Sequence, residues 1–441
     1  MVGSSGASFR SRRAVLLPVL LSGAVAFLCL GRNVARTFQA PGAGLRPLRR
    51  QRSPSGLQQR PETVSFAGHA QVSGVKTPAR PLADEASSLT TVLAATALAA
   101  VAMQEGGSAQ AMLESPKKGF LDSMKLPIIC IVWYYFNVQY NIQNKLLLQT
   151  FSATWAVAWF QLAAGIPIGM AMWAAGMAKV PSVTKSDLTK LVPMGLVFAG
   201  AQCATVASLG AVAVSFTHVV KALEPGINAV ASAVLLGQVY HPMVYLSLAP
   251  VFFGVALASS GELSFTMFGF LTAMLSNIMF VTRNVLSVKY GSVGDFGEDK
   301  TTRKTNQLIV LTIIASAVLF PIALFLPGGL LSMPSAWAAA ISAGTSAKSL
   351  VFMIASSGFY FFMYQLLSFW VLASVPPITH SVLNTLKRVV VIVSSIIVFH
   401  TPVTKAGGLG TAIAIGGVML YTQVKSYYEN KKCVDSCAVE M

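Results

Sequence analysis

The chain has 441 residues, of which 54% are hydrophobic and only 11% are charged, and its formal net charge is +17. Soluble domains carry about 25% charged residues, so this composition excludes an ordinary soluble protein and indicates an integral membrane protein. The net charge does not indicate a nucleic-acid partner, because residues 1–83 alone hold twelve lysines and arginines against one acid, Glu62. Such a basic, acid-poor segment is typical of a targeting sequence.

The first 117 residues are predicted to be a two-part targeting leader. An apolar run behind three arginines (14–31) has the pattern of a secretory signal peptide over residues 1–31. Residues 32–117 resemble the transit peptides of plastids surrounded by more than two membranes, with Phe38 at the start. A second apolar run (89–103) is short for a full span. It resembles the stop-transfer segment of such leaders, and the alternatives are a membrane anchor or an amphipathic segment.

The rest of the chain is predicted to be an all-α polytopic membrane domain over 118–430, followed by a polar tail over 431–441. Ten apolar runs each have about the 20 residues that a helix needs to cross a bilayer. They are 126–144, 152–176, 190–210, 213–237, 242–260, 265–288, 306–326, 349–374, 378–400 and 405–427. With this count thirteen cations lie on the side of both ends and three on the other side. This asymmetry favours the predicted topology.

A short sequence echo predicts that the ten helices form two inverted five-helix repeats. The string VAVSFTH (212–218) opens the fourth span, and ASVPPITH (373–380) opens the ninth. If each half has five spans, these two spans correspond, and the odd number inserts the second half upside down. Inverted repeats are common in transporters, which bind their substrate between the halves.

Two adjacent cations, Lys387 and Arg388, lie in the middle of the ninth span. A charge at membrane depth costs roughly 2.5–3.5 kcal/mol on insertion scales, so it usually faces a wet cavity and has a function. No acidic residue stands beside them in the sequence. The arginine fork can bind two oxygens of one phosphate while the lysine adds a point charge. The predicted partner is therefore a phosphate that binds and leaves.

Two further cations lie inside predicted spans. Lys221 either faces the same cavity or pairs locally with Glu224, three residues on and within reach on a helix. Pro225 is expected to free a backbone carbonyl and to kink this helix. Arg283 either lines the cavity or extends its side chain from near a helix end towards the membrane surface.

Neutral polar residues complete the candidate set. Thr205 and Gln202 share one face of the third span and could donate to an anion, although threonine in a membrane helix often bonds its own backbone. His218 and His380 are expected to be hydrogen-bonded residues at helix starts rather than ligands. The first span holds three Asn and two Gln between 133 and 145, which are expected to line the cavity or to hold neighbouring helices together.

Four strings of this chain resemble those of a known protein family. They are WYYFNVQYNIQNK, VAVSFTHVVKALEP, ASAVLLGQ and PITHSVLNTLKRVVVIVSSIIVF. Over about residues 120–427 the chain resembles the plastid phosphate translocators of the drug/metabolite transporter superfamily, and in particular the triose-phosphate/phosphate translocators. The resemblance implies ten helices in two inverted repeats and strict exchange of a sugar phosphate for inorganic phosphate. It implies a phosphate-binding set made of Thr205, Lys221, Lys387 and Arg388.

The resemblance also implies that Arg283 and Tyr364 contact the remainder of the substrate. Triose-phosphate members carry a histidine one turn before the threonine, where this chain has Gln202. Gln202 is therefore included among the residues that contact the remainder of the substrate, and the recognition of its ring or carboxylate is expected to differ.

The predicted function is a multi-pass antiporter of the envelope membrane of a complex plastid, exchanging inorganic phosphate for triose phosphate or 3-phosphoglycerate by alternating access. Its partners are these phosphates and the lipid bilayer, with no catalytic residue, cofactor or metal. The five cysteines show no zinc or disulfide spacing. Alternatives are a phosphoenolpyruvate, hexose- or pentose-phosphate translocator, or a nucleotide-sugar transporter of the same fold. An enzyme acting on a phosphorylated lipid is disfavoured, because no span holds paired carboxylates, a DxxD motif or a histidine dyad.

Overall fold

The structure of the protein is a computed structural model that describes residues 120–290, 295–375 and 377–439. The predicted signal peptide (1–31) and transit-type leader (32–117) lie outside the described residues. The described part is helical and contains no β-strand, only an isolated bridge between Ser182 and Asp295.

Long helices account for most of the described chain. They are α1 (Phe120–Thr150), α2 (Thr154–Ala174), α3 (Lys185–Ala211), α4 (Val214–Leu236), α5 (Pro242–Ser260), α6 (Met267–Lys289), α7 (Lys300–Phe325), α8 (Ala347–Ser374), α9 (Pro377–Phe399) and α10 (Lys405–Val439). A short apolar helix, Leu330–Ser342, connects α7 to α8. Helix α10 continues through most of the segment predicted as a polar tail (431–441).

Nine helices of the described chain, α2 to α10, are long and apolar enough to cross a membrane. They coincide within a few residues with the nine spans predicted after residue 150. Helix α1 has 31 residues, about 46 Å at 1.5 Å per residue, which is ample for a bilayer. It is not among the nine, because asparagine and glutamine interrupt its apolar sequence.

Polar side chains cap the starts of several helices. Thr184 accepts a hydrogen bond from the backbone N–H of Asp187, whose carboxylate accepts one from the backbone N–H of Thr184, so this pair forms a capping box at α3. Thr266 and Ser346 accept bonds from the backbone N–H groups three residues on, at the starts of α6 and α8. These caps satisfy backbone donors that have no partner inside the helix.

The helices pack in a pattern that repeats after five helices. Shifting each helix number by five turns the contact of α3 with α6 into that of α8 with α1. The same shift relates α4 with α6 to α9 with α1, and α2 with α8 to α7 with α3. Three further pairs, α2 with α7, α4 with α9 and α5 with α10, are their own counterparts under the same shift, whereas the contact of α1 with α3 has no counterpart of similar extent between α6 and α8. Helices α1, α4, α6, α8, α9 and α10 leave a polar space between them, which contains the candidate site.

Helices α5 and α10 cross with their backbones in contact. A Cβ atom added to Gly254 would lie 2.4 Å from the backbone nitrogen of Ala414, and one added to Gly410 would lie 2.3 Å from that of Ala258. Both distances are far below van der Waals contact, so only glycine fits at these two positions. Small residues that let backbones approach are the usual way of packing helices in a membrane.

Candidate functional site

A single cavity of about 590 Å³ contains most of the residues that the sequence singled out. Its wall is formed mainly by α1, α4, α6, α8, α9 and α10. Six of the seven candidate residues line it, namely Thr205, Lys221, Arg283, Tyr364, Lys387 and Arg388. The seventh, Gln202, is fully buried behind the wall.

Helix α4 is interrupted where it meets the cavity. An α-helical segment (Val214–Val220) is followed by one 3-10 turn (Lys221–Leu223) and a second α-helical segment (Glu224–Leu236). Pro225 has no N–H to bond the carbonyl of Lys221, so the predicted distortion is found at the expected place. The carbonyl is not free, however, because the N–H of Glu224 donates to it in 3-10 geometry.

Lys221 is held against the third helix. Its Nζ donates to Thr205 Oγ1 at 3.1 Å and lies 5.1 Å from the centre of the Phe280 ring. The same threonine oxygen is 2.8 Å from the carbonyl oxygen of Ala201 and 3.1 Å from Ser276 Oγ. Thr205 therefore donates a hydrogen bond to its own helix backbone, as is common for threonine in membrane helices, and also accepts one from Lys221.

The cation that pairs with Glu224 comes from a different helix than the sequence suggested. Glu224 forms a salt bridge through Oε2 with Nη2 of Arg388, across 164 residues of sequence. A local pair between Lys221 and Glu224 is not formed, so that alternative is wrong. The other terminal nitrogen of Arg388, Nη1, is buried and has no hydrogen-bond partner in the part of the chain that the structure describes.

Lys387 points at an aromatic surface on α1. Its Nζ lies 4.7 Å from the centre of the Trp133 ring, at a distance where a cation–π attraction is substantial. Trp133 stacks in turn on His380, with 5.6 Å between ring centres. Lys387 has no carboxylate within salt-bridge distance among the described residues, so its charge remains available for an anion.

Arg283 is surrounded by aromatic rings. Its guanidinium carbon lies 4.7, 5.2 and 5.6 Å from the ring centres of Phe198, Phe280 and Phe369, and the residue is only 6% exposed. Nη2 donates to Asn284 Oδ1 at 2.9 Å, whereas Nη1 is buried without a partner among the described residues. Arg283 lines the cavity, so the alternative of an arginine extending towards the membrane surface is wrong.

Gln202 belongs to a buried amide network behind the cavity wall. Its Nε2 lies 3.0 Å from the Tyr140 hydroxyl oxygen and 2.6 Å from Gln161 Oε1. Tyr140 itself lines the cavity, and its ring centre lies 5.1 Å from that of Tyr364. The structure thus places Gln202 where it supports the tyrosine pair rather than on the surface that a ligand would touch.

Replacing Gln202 by leucine is expected to lower stability more than ligand affinity. A buried polar group that loses its partner costs about 1–3 kcal/mol, and here Tyr140 and Gln161 both lose a donor. We expect a lower melting temperature in detergent, while the phosphate KM in an exchange assay stays within about threefold. The control is Gln149→Leu at an exposed site on α1. A large rise in KM at unchanged melting temperature would instead show direct ligand contact.

Polar residues of α1 line the cavity or join helices, as the sequence indicated. Asn137 and Asn141 are on the cavity wall, and Asn141 Oδ1 lies 2.9 Å from Nε2 of His218, which confirms His218 as a bonded residue near the start of α4. Sequence reasoning missed Trp133 beside Lys387 and Glu224 beside Arg388. An aromatic ring in an unusually polar span was a signal for the first, whereas no local signal points to the second.

The cavity extends towards one end of the bundle. It reaches Val288, Lys304, Lys425 and Glu429, near the helix ends on the side of both described termini. At the other end Lys145 closes the space between α1 and α3, because its Nζ donates to the carbonyl oxygens of Leu209 and Val212 at 2.8 and 2.9 Å. Lys221, Arg283, Lys387 and Arg388 thus lie deeper in this chamber than Lys304 and Lys425.

Sequence comparison assigns the chain to a known family. The sequence profile of the Triose-phosphate Transporter family matches residues 124–422, which include all the cavity residues except Lys425 and Glu429. The chain belongs to this family. Members of the family are transporters rather than enzymes.

Relatives with three different named substrates are similar to this chain. Phosphoenolpyruvate/phosphate translocator 1, chloroplastic, of Oryza sativa subsp. japonica is 39% identical over 307 residues, covering 70% of this chain and 73% of the relative. The non-green-plastid triose phosphate/phosphate translocator of Brassica oleracea var. botrytis is 39% identical over 302 residues (68% and 73%). Glucose-6-phosphate/phosphate translocator 1 of Arabidopsis thaliana is 35% identical over 321 residues (73% and 79%). Overall identity therefore does not separate the substrate classes of this family.

Proposed function

We propose that the protein is a plastid-envelope antiporter that exchanges inorganic phosphate for triose phosphate or 3-phosphoglycerate by alternating access. The observation that carries this proposal is the meeting of Lys221, Arg283, Lys387 and Arg388 around one cavity. Glu224 is the one described carboxylate among these four cations, because Glu429 lies near the mouth beside Lys425. Three positive charges therefore remain beside a chamber of suitable size for a small phosphate ester.

The cavity supports separate roles for its two groups of cations. Lys221, Lys387 and Arg388 come from α4 and α9 and, with Thr205, would bind the phosphoryl oxygens. Arginine offers a two-pronged fork and lysine a mobile point charge, and both suit a phosphate. Arg283 and Tyr364 would contact the remainder of the substrate from α6 and α8, whereas Gln202 would act indirectly through Tyr140.

The charge balance gives a physical reason for obligatory exchange. Each charge at the centre of a membrane costs roughly 2.5–3.5 kcal/mol. A carrier whose cavity holds three uncompensated charges therefore rearranges unfavourably. A bound phosphate dianion cancels two of them. The loaded carrier can then change its open side, while the carrier without substrate waits for the next anion.

The packing pattern supports an architecture of two five-helix halves. Most closely packed helix pairs have a counterpart five helices further along the chain, as expected if α1–α5 and α6–α10 are repeats and α1 is the tenth membrane-spanning helix. An odd number of spans in each half inverts one relative to the other. The bonds of Lys145 would then belong to the closed end of the carrier and Lys304 and Lys425 to the open end.

The proposed location rests on the relatives and on the leader. The relatives named above are described as chloroplastic, and the predicted leader over 1–117 has the two-part form expected for a complex plastid. We therefore place the protein in a plastid envelope membrane as an integral, multi-pass protein.

A phosphoenolpyruvate carrier is the second candidate. One observation favours it, namely that Gln202 stands where triose-phosphate members carry a histidine. Phosphoenolpyruvate carries a carboxylate beside its phosphate, so the two candidates differ in substrate charge.

Counter-exchange in proteoliposomes tests the proposal. Vesicles loaded with phosphate, triose phosphate, 3-phosphoglycerate, phosphoenolpyruvate or glucose 6-phosphate are given labelled phosphate outside. We expect uptake only when phosphate or a phosphate ester is inside the vesicles, and fastest uptake with phosphate or triose phosphate. Equal uptake into unloaded vesicles would overturn obligatory exchange, and fastest uptake with phosphoenolpyruvate would favour the second candidate.

A further inference from the structure

Glu224 is one of two carboxylates on the cavity wall in the described part of the chain. The other, Glu429, lies 3.8 Å from Lys425 one turn away on α10, near the mouth. Glu224 lies among the cations, three residues after Lys221 and in a salt bridge with Arg388. Its side chain is 26% exposed and that of Arg388 is 11% exposed, so the pair is only partly shielded from the space that a substrate would enter.

The geometry divides the guanidinium of Arg388 between two partners. Nη2 is bonded to Glu224, whereas Nη1 is buried without a partner in the described chain. A buried donor of a charged group is costly to leave unbonded, so Nη1 is ready for a further acceptor. A phosphoryl oxygen can bind Nη1 while the bond to Glu224 remains. The carboxylate would then stay beside the substrate.

We propose that Glu224 is a specificity-determining residue that selects substrates by charge. A fixed negative charge beside the substrate repels each additional negative charge that the substrate carries. Glu224 would therefore favour dianionic phosphate esters, such as a triose phosphate, over trianionic ones that bear a carboxylate as well. The inference rests on the proposed function, because it concerns the substrate of that same cavity.

The repulsion is strong enough to decide between such substrates. Two unit charges 8 Å apart at an effective dielectric constant of 20 interact with an energy that corresponds to a preference of roughly 30-fold. Removing the charge of Glu224 while keeping its shape should therefore improve the binding of trianions far more than that of dianions. A merely structural role of the carboxylate would alter both kinds of ligand together.

The test compares Glu224→Gln with the matched variant Glu429→Gln and with Glu224→Asp. Inhibition of labelled-phosphate exchange by dihydroxyacetone phosphate and by 3-phosphoglycerate is measured at pH 8, where both phosphoryl groups are dianionic. We expect Glu224→Gln to change the ratio of the two inhibition constants at least tenfold in favour of 3-phosphoglycerate. Glu429→Gln and Glu224→Asp should change it less than twofold.

An unchanged ratio in Glu224→Gln would overturn the inference. If that variant binds but does not turn over, the shift in melting temperature against the concentration of each ligand in detergent supplies the same ratio. Absence of phosphate exchange by the unaltered protein would instead overturn the proposed function. The two failures are therefore distinguishable.

Discussion

Lys387→Ala is expected to lower the rate of phosphate exchange at least a hundredfold while leaving the protein folded. Lys387 contacts the Trp133 ring and has no described carboxylate partner, so its removal takes a charge from the proposed phosphate site without leaving an unpaired acid. A hundredfold loss corresponds to about 2.7 kcal/mol, a reasonable value for one charge-assisted hydrogen bond together with a change in cavity charge. Exchange of labelled phosphate in proteoliposomes measures the effect.

A test of Arg388 requires a substitution other than alanine. Arg388→Ala would leave Glu224 without its partner, and breaking a buried pair in this way costs about 3–5 kcal/mol of stability. Arg388→Lys keeps the charge but loses the fork, so it should reduce exchange strongly with a small change in melting temperature. Lys405→Ala, at the exposed start of α10, is the control and should exchange normally. Normal exchange by Lys387→Ala would contradict the proposed site.

Gly410→Val should prevent α5 and α10 from packing and abolish the folded protein. A Cβ atom at Gly410 would lie 2.3 Å from the nitrogen of Ala258 and 2.7 Å from the carbonyl oxygen of Gly254. Backbone atoms in two helices cannot move aside as a flexible side chain can, so the helices must separate. We expect loss of the monodisperse species on size-exclusion chromatography in detergent, or a fall in melting temperature of more than 10 °C.

The same helix offers a matched control. Gly416 has nothing within 4 Å of an added Cβ atom, so Gly416→Ala should fold normally. It should even gain up to about 1 kcal/mol from the higher helix propensity of alanine. Equal melting temperatures for Gly410→Val and Gly416→Ala would show that α5 and α10 do not approach as closely as described.

The sequence predicts best those features that depend on local composition. The nine apolar helices follow from runs of about 20 hydrophobic residues, and the distortion of α4 follows from Pro225. The cations of the cavity were identifiable because charge is costly at membrane depth. Each of these signals is contained in a single segment of the chain.

Features that depend on packing between distant segments could not be predicted in the same way. Glu224 and Arg388 are 164 positions apart, and spacing on one helix suggested Lys221 as the partner instead. Gln202 shares a helix face with Thr205, yet Tyr140 of α1 separates it from the cavity. The rings around Arg283 come from α3, α6 and α8, so only their arrangement in space distinguishes a buried arginine from one at a surface.

The polarity of α1 has a consequence for how the protein is made. Asn137, Asn141 and Asn144 are at most 4% exposed inside the bundle, and the hydroxyl of Tyr134 donates to the carbonyl oxygen of Leu383 on α9 at 2.6 Å. Entry of an unpartnered, amide-rich helix into lipid is unfavourable. Asn144 is bonded by Gln161 of α2 and Asn141 by His218 of α4, whereas the partner of Tyr134 is on α9. Packing of α1 is therefore expected to begin with α2 and α4 and to be complete only when α9 joins them.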